Sequence, residues 1–451
     1  MTKLAWPLMG LVLCALATGA AEHSVHSFKT IQLSDEFWGE GANIGDFNRD
    51  GKMDIVSGPY WYEGPDFAKR HEYYPASKSF RLRAADRERI VPGYEGALGK
   101  NNAYSDNFFA FTYDLNGDGW TDILILGFPG AESYWFENPQ GKEGPWPKHL
   151  AVDYTDNESP TFADLTGDGK PEIIFHTRFK EGTNMVSYLG YAEPDWSNPT
   201  AKFRFHKIST PGTWHWFNHG YGFGDVNGDG RMDILEKNGW WEQPASLAGD
   251  PVWKHHPVAF GTGGAQMYAY DVNGDGRNDV ITSLAAHGYG LAWFEQLAER
   301  GPDGEIQFKE HIFMNKEPRD NKYGVKFSQP HAIDLVDMDG DGLKDIVTGK
   351  RFWAHGPTGD AEPGAPAVLY WFKLVRGTDH SVDFVPYLIH EDSGIGTQVL
   401  ARDLNGDGLP DVVVGNKKGT FVHLHSVKPA TAEEWEKAQP KVFNAQSAST
   451  R

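Results

Sequence analysis

The residues with the most obvious chemistry are acids and amides at alternate positions of a nine-residue loop, D-x-N-x-D-G-x-x-D, which recurs seven times. Its candidate ligands are Asp46, Asn48, Asp50 and Asp54 in the first copy, then Asp114, Asn116, Asp118 and Asp122 in the second. The third supplies Asp164, Thr166, Asp168 and Glu172, and the fourth Asp225, Asn227, Asp229 and Asp233. The fifth supplies Asp271, Asn273, Asp275 and Asp279, the sixth Asp337, Asp339, Asp341 and Asp345, and the seventh Asp403, Asn405, Asp407 and Asp411. A hard cation takes six or more oxygens, and oxygens at positions one, three and five of a tight loop converge on one centre. Glycine at position six allows the sharp turn, and a carboxylate at position nine closes the cage. An EF-hand needs glutamate at position twelve. Here that position holds Ser57, Ile125, Phe175, Glu236, Thr282, Thr348 and Val414, and each loop leads into a short apolar run of β type. The expectation is one structural Ca2+ per loop, about seven in all, which would neutralise much of a net charge of −20.

A second set of residues sits six positions ahead of each loop, where the chain would enter the innermost strand of a repeat. These are Glu40, Phe108, Glu158, His219, Ala265, His331 and Thr397, with Asn107, Gln266 and Gln398 beside them. The ends of the following strands add His176, Arg178, Glu236, Lys350, Arg351, His355 and Lys417. Carboxylates, imidazoles and cations would thus meet on one axis. Such a channel can simply be wet and polar. Alternatively His219, His331 and Glu158 ligate one further divalent metal, since two histidines and a carboxylate make a common open site. A third reading is a metal-free pocket that binds ligand by hydrogen bonds. Trp214 and His215 lie in a neighbouring loop where rings could stack on sugar, and His149, His206, His255 and His311 recur on outer strands as structural residues.

The elements that position these groups follow from the repeat. A spacing near 60 residues suits a four-stranded antiparallel blade with variable loops. Aromatic runs such as 60–63, 134–137 and 240–242 supply third strands, and 146–152, 203–208 and 253–258 supply fourth strands. The seventh copy has no fourth strand after 421–425, whereas a matching segment, 27–33, stands before the first copy. The fold expected is therefore all-β: a seven-bladed β-propeller closed by its N-terminal strand, which removes the open edge. The loops lie between the first and second strands of each blade. The propeller should span 22–428 and a tail 429–451, part of it helical. Insertions at 76–106 and 315–329 would wall the axial mouth.

Residues 1–21 read as a secretory signal: Lys3, an apolar run to Ala17, then small residues. The run is too short to span a membrane. Its Cys14 is the chain's only cysteine, so the mature protein, secreted or periplasmic, would have no disulfide to hold it. The acidic balance argues against a nucleic-acid partner.

The loops, with Phe223-Gly224 ahead of Asp225, resemble the FG-GAP or VCBS repeats of integrin-type propellers, which implies the propeller fold and calcium. His219-Gly220 and Pro330-His331 ahead of two loops, with the stretch from Gly349 to His355, look like the propeller of aldos-2-ulose dehydratase-type enzymes. That resemblance implies elimination of water from a keto-sugar, with metal and histidines polarising the ketone and a neighbouring base taking the α-proton. Two functions follow: a carbohydrate-active carbon–oxygen lyase working at the axis, or a non-catalytic propeller binding a glycan or protein partner. A hydrolase lacks its nucleophile signature, having neither G-x-S-x-G nor a cysteine beyond residue 21.

Overall fold

The computed structural model describes residues 23–84, 87–92 and 104–444. The leader expected at 1–21 lies outside them, as does part of the 76–106 insertion. Among the described residues the protein is all-β apart from one short 3-10 turn and a C-terminal helix, Ala432–Ala438. Among the described residues there are five four-stranded sheets, one eight-stranded sheet and one isolated hairpin. The eight-stranded sheet is two four-stranded meanders, the fourth and fifth in chain order, joined where Tyr221–Gly224 runs parallel to Met267–Tyr270. Gly222 makes that join possible, because a Cβ there would sit 1.8 Å from the carbonyl oxygen of Met267.

Each repeat is built alike. The first strands are short: Asn43–Gly45, Phe109–Tyr113, Thr161–Ala163, Tyr221–Gly224, Met267–Tyr270, Ile333–Val336 and Val399–Arg402. Each pairs antiparallel with the strand after its acidic loop, so that Gly45 faces Asp54 and Tyr113 faces Asp122 across the loop. In the last sheet the outer strand is His23–Ser34 from the N-terminus, paired along Gly419–Ala430. Helix Ala432–Ala438, opened by a Thr431 capping box, follows that sheet and stacks Trp435 on His23. No helix among the described residues is long and apolar enough to cross a membrane.

Strand alternation explains where the core lies. In the second repeat Ile123 and Ile125 join Phe47, Val56 and Trp61 of the first, while Leu124 and Leu126 join Ile173 and Phe175 of the third. Both faces of a second strand are thus dry, which is why these runs are continuously apolar instead of alternating. Full burial of one such side chain contributes about 1.5–3 kcal/mol. Val413 and Val422 of the seventh repeat pack on Ile55 and Tyr62 of the first.

Outside the third repeat, where Glu172 takes its backbone bonds from Leu165 and Thr166 of the loop itself, the ninth residue of each loop locks loop to sheet. Both oxygens of buried Asp54 accept backbone N–H bonds, from Phe47 at 2.9 Å and Gly64 at 2.8 Å. Asp122, Asp233, Asp279, Asp345 and Asp411 make the same pair of bonds in their own repeats. On the outer edge a ring of the third strand stacks on a histidine of the fourth: Trp61 on His71, Trp135 on His149, Tyr191 on His206, Trp240 on His256 and Trp293 on His311. Each of these imidazoles also reaches a glutamate two residues beyond its ring partner. In the fourth repeat the residue in this position is His256, not the expected His255. The alternation places His255 opposite Trp241 instead.

Candidate functional site

The segments entering the first strands meet at the strand ends opposite the acidic loops. Backbone bonds tie one entry to the next: Glu40 N–H donates to Asn107 O at 2.9 Å, Glu158 N–H to Asn218 O at 2.8 Å, and Thr397 N–H to Glu40 O at 2.7 Å. Gln329 is a hub between the fifth and sixth repeats. Its N–H donates to Gly288 O, and its carbonyl accepts from the N–H groups of His331 and Arg351. Its side chain accepts from Ala354 N–H and donates to Ala361 O. These bonds hold a non-glycine residue at φ +60°.

Three imidazoles converge there. His219, His287 and His331 each offer a nitrogen, all within 4.8 Å of one another. His287 Nε2 lies 3.2 Å from His219 Nε2. His331 is fully buried, and its Nδ1 lies 3.2 Å from Gln329 O, which leaves Nε2 buried with no hydrogen-bond partner. His219 Nδ1 is also buried without a partner. Burial holds the His219 imidazole down to about 4 and His331 well below its ordinary value, so both are neutral at pH 7. Neutral imidazole is the form that ligates metal. Three imidazoles, two of them with orphaned nitrogens, are a donor set suited to zinc or a similar borderline cation.

A charged cluster adjoins them. Arg351, 1% exposed, contacts Glu40 Oε2 at 2.9 Å and Glu158 Oε2 at 3.1 Å. Lys417 Nζ lies 3.6 Å from Glu40 Oε1 and donates to Trp353 O at 2.9 Å. Burial lowers the Lys417 ammonium to about 8. For Glu158, burial pushes the carboxyl up, but His219 and Arg351 outweigh it and the net direction is down. It is an ionised carboxylate beside the imidazoles.

The geometry sorts the residues expected from sequence. His219 and His331 do meet. Glu158 pairs with Arg351 through Oε2 and stands outside the imidazole triad, and the third nitrogen comes from His287. Lys350, lowered to about 8 by burial, donates to Ser328 Oγ at 2.8 Å. His355 is on the rim against Asp360, at 2.8 Å. The expected ligand-binding amides are committed to the scaffold. Gln266 bridges Thr397 O and Ile333 N–H, both amide ends of Gln398 bond Ala110, and Asn107 donates to Gly58 O. Trp214 donates to Glu236 and Arg178 is locked by Asp156, with Trp216 on its face. His215 accepts a bond from His176 through its carbonyl. In the acidic loops, the Asp337, Asp339 and Asp345 oxygens gather within 4.8 Å, and Lys373 pairs with Asp339 and Asp341 there.

His287 and Asp360 carried no register signal. His287 lies beyond the end of the strand Asp279–Ser283, in the tight connection 284–290, and Asp360 lies in the long connection after Asp345–Gly349. The small residues Ala285, Ala286 and Gly288 around a lone imidazole were the available hint.

Comparison with known proteins gives two family matches: an FG-GAP-like repeat over residues 114–175 and an FG-GAP repeat over 395–424. No curated protein matches. Among solved structures, an Agrocybe aegerita lectin that recognises non-reducing terminal N-acetylglucosamine is 16% identical, with 88% of this chain and 85% of that chain covered and a TM-score of 0.41. An auxiliary nutrient-binding protein from Bacteroides ovatus is 10% identical over 84% of each chain, with a TM-score of 0.40. Rhamnogalacturonan lyase YesW is 14% identical over 89% of this chain and 72% of that one, with a TM-score of 0.36. The first match runs from the acidic loop of the second four-stranded unit into the third and the other lies in the seventh, so FG-GAP-type repeats are matched over part of this all-β chain.

Proposed function

We propose that this chain is a secreted, calcium-stabilised propeller of seven blades, closed by its N-terminal strand, whose axial site processes a carbohydrate by eliminating water from a keto-sugar. The observation that carries the catalytic reading is the meeting of three imidazoles, two with orphaned buried nitrogens, beside the ionised carboxylate of Glu158. Calcium in the acidic loops is supported by burial of the ninth-position carboxylates. Burial pushes Asp122 up to about 7 with Asp118 and Asp114 adding repulsion, a load that a bound cation would relieve.

His219, His287 and His331 would hold a divalent metal. Such a metal, when bound, supplies Lewis-acid polarisation of a carbonyl oxygen. Glu158 is placed to accept the proton from the carbon next to that carbonyl, and Arg351 holds Glu158 by its second oxygen contact to the cluster. His355, on the open rim, returns a proton to the departing hydroxyl. The carbon–oxygen bond breaks, and one proton lost and one gained leave water as the only by-product.

A second reading, a non-catalytic propeller that binds a glycan or protein, draws on the mutual commitment of Arg351, Glu40 and Lys417, each nearly buried. Metal analysis separates the two. The enzyme reading expects about seven calcium ions and one further metal, the latter lost in both His219→Ala and His331→Ala, followed by keto-sugar elimination activity. Calcium alone, unchanged in both variants, rejects the axial metal and directs the search to glycan binding.

A further inference from the structure

The connection between Asp345–Gly349 and Leu369–Arg376 crosses toward the fifth repeat and brings one buried carboxylate against the imidazole triad. It is pinned along its length. Ser328 Oγ donates to Ala361 O at 2.8 Å, Lys326 pairs with Glu362 at 2.6 Å, and Lys417 holds Trp353 O. Gly359 is needed there, since a Cβ would meet His355 O at 2.4 Å. Inside this frame the Asp360 side chain is 2% exposed. Its Oδ2 accepts the His355 N–H at 2.8 Å. Its Oδ1 lies 2.8 Å from His355 Nδ1 and 3.1 Å from His287 Nδ1.

An ionised carboxylate only accepts hydrogen bonds, so the His287 nitrogen facing Asp360 must carry the proton. The other nitrogen, Nε2, is then left with a bare lone pair, and it is the one 3.2 Å from His219 Nε2. In the opposite tautomer an N–H would point into the triad and block a cation. His331 is set the same way by Gln329 O. We propose that Asp360 is a positioning residue for the axial site: from the sixth repeat it fixes the tautomer and plane of His287 in the fifth, and so completes a three-imidazole metal site. The inference rests on the metal reading above, while its tautomer half holds for the metal-free protein. A carboxylate behind a ligating histidine typically strengthens metal binding about 10- to 100-fold.

Two measurements test it. In metal-free protein, 15N NMR of the histidine rings should show His287 protonated at Nδ1, shifting toward a tautomer mixture in Asp360→Asn. An Nε2-protonated His287 in the unsubstituted protein overturns the proposal without any variant having to fold. Zinc affinity is then measured by chelator competition for the unsubstituted protein, Asp360→Asn and Asp360→Glu. Asp360→Asn should bind about 10- to 100-fold more weakly, with the cobalt(II) absorption spectrum altered, and Asp360→Glu should recover part of the affinity. Equal affinity in Asp360→Asn, with zinc still lost in His331→Ala, overturns the role of Asp360 alone. No zinc bound by the unsubstituted protein overturns the axial-metal reading itself.

Discussion

Replacing Arg351 by methionine removes one cation from between two carboxylates that the fold brings together from distant parts of the chain. Glu40 enters the first repeat, Glu158 the third, and Arg351 leaves the second strand of the sixth. Contacts of 2.9 and 3.1 Å correspond to a gross attraction of about 5 kcal/mol each at an effective dielectric near 20. Desolvation consumes most of that, and breaking a buried pair from one side costs about 3–5 kcal/mol because the remaining charge is stranded. Methionine keeps the volume, so the loss reports charge and not a cavity. The penalty also has a sign in pH. Without Arg351, burial of Glu158 is opposed only by His219 and His287, and its folded carboxyl should move above the unfolded value. The folded state then binds more protons than the unfolded one, and stability falls as pH rises through that range. Urea unfolding of both proteins at pH 5 and pH 8 measures this, with the larger difference expected at pH 8. A difference under about 1 kcal/mol at pH 8, or an equal one at both pH values, refutes the argument. Lys437→Met, at an exposed helix pair with Glu433, is the control and should change stability by about 0.5 kcal/mol or less.

Chelating calcium should lower the melting temperature, since each site held 100-fold above its Kd contributes about 2.7 kcal/mol; melting that ignores excess chelator rejects calcium in the loops. His176 is fully buried, and burial lowers its imidazole to about 3, below the unfolded value near 6.5. The unfolded state therefore binds more protons between those values. Stability is complete above pH 6.5 and falls as pH drops toward 3, by on the order of 5 kcal/mol from this residue. Melting curves of His176→Gln against pH should lose that part of the acid sensitivity, and an unchanged profile counts against it. Gln398→Ala should cost about 1–3 kcal/mol by stranding the Ala110 N–H, while the Ala110 carbonyl keeps the Asn43 amide, with ligand affinity per folded molecule unchanged; a selective loss of affinity would return Gln398 to the binding site.

The architecture was legible because its rule is local. A loop that must turn at glycine and return a carboxylate at position nine repeats its own constraints, and each copy announces two strands. What that carboxylate does was only half legible: Asp54 and its equivalents were read as closing a cation cage, and six of the seven also spend both oxygens on backbone N–H groups that fasten loop to sheet. Spacing records which residue type a position requires, and a buried acid is required equally by a cation and by two amide hydrogens. The site followed the same division. His219 and His331 stand at a fixed offset from their loops, so register found them. His287 and Asp360 come from connections whose lengths the repeat does not control, and nothing local marks them as neighbours. Gln266 and Gln398, beside that register, and Arg178, at the end of a second strand, show the converse: each was expected at the site, and each is held by the scaffold. In a repeat fold the register therefore identifies residues that can reach the axis, and only the irregular connections decide which of them are left free to act.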